Sequence, residues 1–303
     1  MDGMTPRGPF HAGEIAMQER AGVRARMAKT GAVVIRDYMP DQHRAFFEKL
    51  PYLLVGSRDA EGRSWASMLF GRPGFVRTPD ARRMEVRARA LPGDPLAANL
   101  APGATLGVLG IELATRRRNR MNGTVVALDE EGFALRVDQS FGNCPQYIQA
   151  RGAEPVEAAP VAQAEGAVLS RDAAALVRRA DTFFIATAAP GEGVDVSHRG
   201  GRPGFVTVSE ENGRTVLSAP DFRGNFFFNT LGNIALEPRA GLLFPDFERG
   251  DLLSLTGEAE VIWDAAFAGA ERLLRFRVAR GVMLRNAMPM RWSAPDFARQ
   301  LAD

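Results

Sequence analysis

The sequence predicts a mainly β protein, two antiparallel β-barrels in tandem with helices at the periphery, and three observations carry that expectation. The hexapeptide Gly-Arg-Pro-Gly-Phe-Val occurs twice, at residues 71–76 and 201–206. From Tyr52 onward the apolar residues fall into short runs separated by Gly, Pro and Asp, the pattern of antiparallel strands joined by tight turns. At 303 residues and 46% hydrophobic content, the chain can fill two cores rather than one.

Residues 1–50 read as an N-terminal helical segment. In 12–30, Ile15, Met17, Val23 and Met27 recur among Glu, Gln and Arg, which predicts one amphipathic helix ending at Gly31, a cap or dimer arm. A short helix over Pro40 to Leu50 offers Phe46, Phe47 and Leu50 as its apolar face. Residues 51–151 form the first barrel, with strands in YLLVGS, WASMLF, FVRT, MEVRARA, TLGVLGIEL, NGTVVAL and FALRVD. The loops ending at Gly62 and Gly132 each place glycine where a hairpin needs positive φ. Residues 152–166, rich in Ala, Pro and Glu, lack periodicity and read as a linker. Residues 167–303 form the second barrel: Ser170 caps a helix to about Ala180, and strands follow in TFFIATA, VDVSHR, GFVTVS, RTVLSA, AGLLFP and LLSLTGEAEVIW.

Composition narrows the function classes. The N-terminus has no apolar stretch suited to a signal peptide, and no run of eighteen apolar residues exists, so the chain is expected to be cytoplasmic and not membrane-bound. Net charge is +2, and Lys29 and Lys49 are the only lysines, so clustered arginines are what could mark an anion site. Cys144 is the single cysteine, and His11, His43 and His198 are dispersed, which argues against a metal centre. Arg116, Arg117, Arg118 and Arg120 read as a solvated basic hairpin loop, since no interleaved aromatics support nucleic-acid stacking.

The repeat is most informative where its copies differ. Ser67 falls on Ser197 at an offset of 130, GDPLAANL (93–100) on GNFFFNTL (224–231) at 131, and Gly123 on Gly257 at 134. The second copy carries His198, Arg199, Arg223 and Asn225 where the first has Met68, Leu69, Pro92 and Asp94. A phosphate dianion needs several convergent N–H and O–H donors, so Ser197, His198, Arg199, Arg223 and Asn225 are the candidate anion site, one per chain. A cleft between the barrels is the natural place for a ligand.

These residues resemble the FMN-binding split-barrel proteins related to pyridoxamine 5′-phosphate oxidase, of the tandem-barrel type. VDVSHRGGRPGFV, GNFFFNTLGNIALEPRAGLLF running into LSLTGEAEVIW, SFGNCPQYIQ and AMPMRW carry the likeness, which covers nearly the whole chain. It implies FMN as cofactor, with the phosphate held by Ser197, Arg199, Arg223 and Asn225 and by His198 beside them. It also implies a ring lying near Phe205 and Val206, with Asn143, Gln146 and Tyr147 of the first copy as further candidates. The implied activity is that of an oxidoreductase acting on a small-molecule redox substrate, with no catalytic acid or base legible. A non-catalytic flavin carrier served by a separate reductase is the alternative, and a haem-binding split barrel a third reading. A homodimer through the N-terminal helix stays open. Phe226, Phe227 and Phe228 are expected in the core, as are Trp65, Trp263 and Trp292.

Overall fold

The computed structural model describes residues 8–142, 144–263 and 269–301. In chain order the elements are α1 (Ala12–Arg20), α2 (Arg24–Val34), α3 (Asp41–Glu48), β1 (Tyr52–Arg58), β2 (Ser64–Phe70), β3 (Val76–Asp80), β4 (Arg83–Val86), α4 (Leu96–Asn99), β5 (Thr105–Glu112), β6 (Arg117–Leu128) and β7 (Phe133–Gly142). The second half adds β8 (Ala153–Pro155), β9 (Val161–Glu165), α5 (Arg171–Arg179), β10 (Thr182–Ala189), β11 (Gly193–Gly200), β12 (Thr207–Glu211) and β13 (Arg214–Phe222). It continues through α6 (Asn229–Leu236), β14 (Arg239–Asp246), β15 (Asp251–Ile262), β16 (Ala270–Arg285) and β17 (Met290–Trp292).

The chain is mainly β and antiparallel, as expected from its sequence. One sheet runs β2-β1-β5-β6-β7-β4-β3 and the other β11-β10-β14-β15-β16-β13-β12. Counted from β1 in one sheet and from β10 in the other, the two orders are the same. Each sheet wraps its own core, and the two pack on each other through a third apolar layer. β1 shows why its residues read as a continuous apolar run: Leu53 and Val55 enter the first core, while Tyr52 and Leu54 enter the shared layer. β10 repeats this, with Phe183 and Ile185 in the second core and Phe184 and Ala186 in the shared layer. A strand buried on both faces loses the polar alternation of a half-exposed one, and each such side chain contributes roughly 1.5–3 kcal/mol of burial.

The hexapeptide does the same structural work twice. Gly74 and Gly204 hold φ of 91° and 89°, which only glycine adopts without strain, and Phe75 and Phe205 then turn into their respective cores. Phe205 stacks on Phe183, with ring centroids 5.7 Å apart. Phe205 and Val206, expected beside a cofactor ring, are therefore core residues of the second barrel.

Other expectations need correction. The first helix is two, because Gly22 at φ 67° breaks it; Gly31 lies inside α2 instead of ending it. Gly62 has the expected positive φ, but Gly132 does not: a Cβ there would fall 1.9 Å from the Val86 carbonyl oxygen, so glycine serves a close approach. Residues 152–166 are not a plain linker, since β8 pairs with β17 and β9 with β16. The basic stretch from Arg117 is the first half of β6, not a loop. α6, β16 and β17 are elements the sequence reading did not place.

Candidate functional site

A cavity of about 870 Å³, part of it open to solvent, lies where β11 meets β6 of the other sheet. β11 supplies Ser197, His198 and Arg199; β6 supplies Arg118 and Arg120; β13 supplies Asp221 and Phe222; β16 supplies Arg272; and α6 supplies Asn229 and Thr230. Along β11, Asp195, Ser197 and Arg199 share one strand face, while Val194, Val196 and His198 share the other, where Val196 lies in the shared apolar layer and His198 meets the Phe184 ring edge-on.

Four guanidinium groups converge on the cavity, and their carboxylate partners do not match them one for one. Arg120 pairs with Asp195 at 3.0 Å and donates to the Ser197 hydroxyl, and Thr230 in turn donates to Ser197 Oγ at 3.0 Å. Asp195 also accepts from Asn122 and Asn233, so its oxygens are spoken for. Arg199 and Arg272 share Asp221, at 3.5 and 2.9 Å, and Arg272 also takes Glu271 at 2.6 Å. Arg118 has no carboxylate partner among the described residues. Its Nη1 donates to His198 Nδ1 at 3.0 Å, and its Nε is buried without a partner. Burial first, then the neighbouring Arg199 and Arg120, pull its pKa down to about 9.

His198 is 4% exposed and held neutral: burial, then Arg118, Arg199 and Arg151, push its pKa well below the ordinary value. Because a guanidinium only donates, Nδ1 is the acceptor and the proton sits on Nε2, which is buried with no partner. The corner thus presents surplus N–H donors and uncompensated positive charge, the chemistry of an anion site.

The opposite wall is aromatic. Tyr147 stacks on Phe222, with centroids 5.1 Å apart and planes at 19°, and Phe226 and Phe228 complete the lining. Phe228 and Trp263 both lie about 5 Å from the Arg272 guanidinium. Tyr147, Phe226 and Phe228 all hold φ between 61° and 64°. A bulky residue in the left-handed region costs roughly 1–2 kcal/mol, and three such residues line one cavity, the distribution seen at functional sites.

Of the residues proposed from sequence, Ser197, His198, Arg199, Asn225, Gln146 and Tyr147 line this cavity. Asn225 is exposed, and its Oδ1 accepts from the Phe227 amide at 3.2 Å. Arg223 does not line it; its side chain lies against Phe226 in an adjoining depression, while its carbonyl accepts from the Tyr147 hydroxyl at 3.3 Å. Asn143 lies outside the described residues. Phe227 is core, as expected, whereas Phe226 and Phe228 face the cavity. Arg118, Arg120, Asp221, Thr230 and Arg272 were missed. β6 carries a signal that finds the first two: Arg118, Arg120 and Asn122 alternate at the spacing that places them on one strand face.

The matching corner of the other half is filled instead. At the offset of 134, Leu252 and Ser254 stand where the first copy has Arg118 and Arg120. Leu252 and Met68 are buried in the shared apolar layer, and Asp94 is engaged by the Ser67 hydroxyl and the Leu96 amide. Burial raises the Asp94 pKa to about 6.

Among the described residues no helix is long and apolar enough to cross a membrane, and no group of three His, Cys, Asp or Glu side chains could hold a metal ion. No family model matches the sequence, and no curated protein matches it. Solved structures do. HupZ of Group A Streptococcus is 13% identical with a TM-score of 0.31, the match covering 38% of this chain and 92% of that one. A candidate pyridoxamine 5′-phosphate oxidase of Lactobacillus delbrueckii is 13% identical at a TM-score of 0.30, covering 38% and 93%. An FAD-binding protein of Mesorhizobium loti is 12% identical at 0.27, covering 41% and 98%.

Proposed function

We propose that this cavity binds flavin mononucleotide and that the protein is a flavin-dependent oxidoreductase with one site per chain. The observation that carries the reading is Arg118, a guanidinium with no carboxylate partner among the described residues and a buried orphan Nε, in a corner already holding three other arginines. Arg118, Arg199, Ser197 and Thr230 would hold the phosphate. Arg120 is tied to Asp195 and positions the Ser197 hydroxyl. Tyr147, Phe222, Phe226 and Phe228 would line the ring, whose flat apolar faces suit an aromatic wall.

When bound, a flavin supplies two-electron transfer between a reduced donor and an acceptor, and the protein's part is binding, orientation and field. The guanidinium charges near the cavity favour the more anionic state of whatever is held there. His198, neutral and hydrogen-bonded through Nδ1, fixes the Arg118 side chain and is no proton donor to the solvent. The same bond speaks against the haem reading, because an axial ligand needs a free ring lone pair and the one on Nδ1 is occupied.

The test is the visible spectrum of the purified protein together with an Arg118→Ala variant. A yellow wild type and a variant that keeps its fold but binds flavin at least about tenfold more weakly support the reading, since one charge-assisted contact is worth about 1.5–3 kcal/mol. Adding NADH or NADPH then separates the enzyme from the carrier: flavin that stays oxidised until a reductase is supplied favours the carrier.

A further inference from the structure

Next to the proposed flavin cavity lies a second depression of about 950 Å³, open to solvent and bounded by the α1–α2 turn, Arg26, Arg223, Phe226 and Glu271. Phe226 borders both spaces, so what occupies the second reaches the aromatic wall of the first. Two guanidinium groups meet its ring: Arg26 lies 5.2 Å and Arg223 5.3 Å from the centroid. Both arginines are exposed, and among the described residues neither has a carboxylate partner. Glu271, the one acidic group among the described lining residues, pairs with Arg272 at 2.6 Å and with neither of the two. Two positive charges thus stand beside one ring at the same exposed depression. An oxyanion that enters offers both guanidinium groups the acceptor they lack, which is the electrostatic form of a recognition site. The ring itself sits in left-handed backbone, at φ 62°, so its position is set by the fold at a conformational cost.

We propose that Arg26 and Arg223 form a substrate subsite for a small organic acid, whose carboxylate meets the two guanidinium groups while its apolar body lies over Phe226 toward the flavin cavity. This names the substrate class for the proposed flavin site and rests on that reading for its redox role, though not for the binding itself. The division of labour follows from placement: the arginines facing the first cavity serve a phosphate, and the pair outside it serves the substrate.

Titration calorimetry with benzoate, and with benzamide as the neutral control, tests it on the full chain and on the double variant Arg26→Gln, Arg223→Gln. The expected result is saturable benzoate binding that weakens at least tenfold in the variant, no measurable benzamide binding, and an unchanged flavin content by visible absorbance. Equal benzoate affinity in the two proteins overturns the subsite, and so does a variant that loses its flavin, since the arginines would then belong to the cofactor site. Arginine-dependent benzoate binding in a protein that takes up no flavin leaves the anion subsite standing and overturns the flavin reading. A circular-dichroism melt of the variant confirms that it is folded.

Discussion

Glu14 shows how much the site depends on a residue outside it. It is 4% exposed on α1, accepts from the His11 amide and from Asn229, and burial, then the nearby Asp195, raises its pKa to about 8. The unfolded chain ionises it near 4.5, so between about pH 4.5 and 8 the folded state holds the extra proton and stability falls as pH rises. Glu14→Gln removes that dependence. The melting temperature of the variant is expected to match wild type near pH 4.5 and to exceed it by a few degrees at pH 8; a difference that does not change with pH would contradict the assignment. His198 acts in the opposite sense: its lowered pKa makes the neutral form the stable one, and that stability is lost as pH drops below 6.5. Nothing in the sequence marks Glu14, because its burial comes from a helix packed 215 residues away.

At the scale of elements, α1 is a wall behind the site more than a peripheral arm. Gly13 and Gly232 let α1 and α6 touch: a Cβ on Gly13 would fall 2.1 Å from the Gly232 carbonyl oxygen, and one on Gly232 would fall 2.5 Å from the Glu14 amide. Since α6 presents Asn229 and Thr230 to the cavity, Gly232→Val is expected to undock α1, lower the melting temperature by several degrees and weaken flavin binding together. Thermal melts with and without added flavin check this, and a variant with unaltered flavin affinity would show that α1 docking does not support the site. The strands around the doubled hexapeptide were legible because turns punctuate them. β16 was not placed, although Leu274, Phe276 and Val278 alternate with Arg275 and Arg277 as a half-exposed strand requires and Gly269, at φ 77°, turns the chain into it. The arginines of β6 misled for a different reason: sequence gives their spacing, but only the second sheet buries them.

For the whole molecule, the packing of the sheets has the reciprocity of a two-fold pair. A Cβ on Gly107 of β5 would fall 2.7 Å from the Val194 carbonyl oxygen of β11, and one on Gly241 of β14 would fall 2.5 Å from the Ser64 carbonyl oxygen of β2. These four positions correspond under the offsets of the repeat, so each half offers its partner the same contact. The two corners differ all the same: one is charged, and the other is filled by Leu252 and Met68. Backbone cannot yield as a flexible side chain does, so Gly241→Val is expected to cost about 1–3 kcal/mol or more, read as a lower denaturant midpoint with the steepness preserved. A variant as stable as wild type would show that the sheets are not held at this distance.

The arginine corner between β6 and β11 is proposed here as a flavin phosphate site present once per chain. Flavin released per mole of denatured protein, for the wild type and for Arg118→Ala, tests it most directly. One flavin per wild-type chain and a clearly lower content in the variant at equal fold is the expected result. Two flavins per chain, no flavin after reconstitution with excess flavin mononucleotide, or full occupancy in the variant would contradict it.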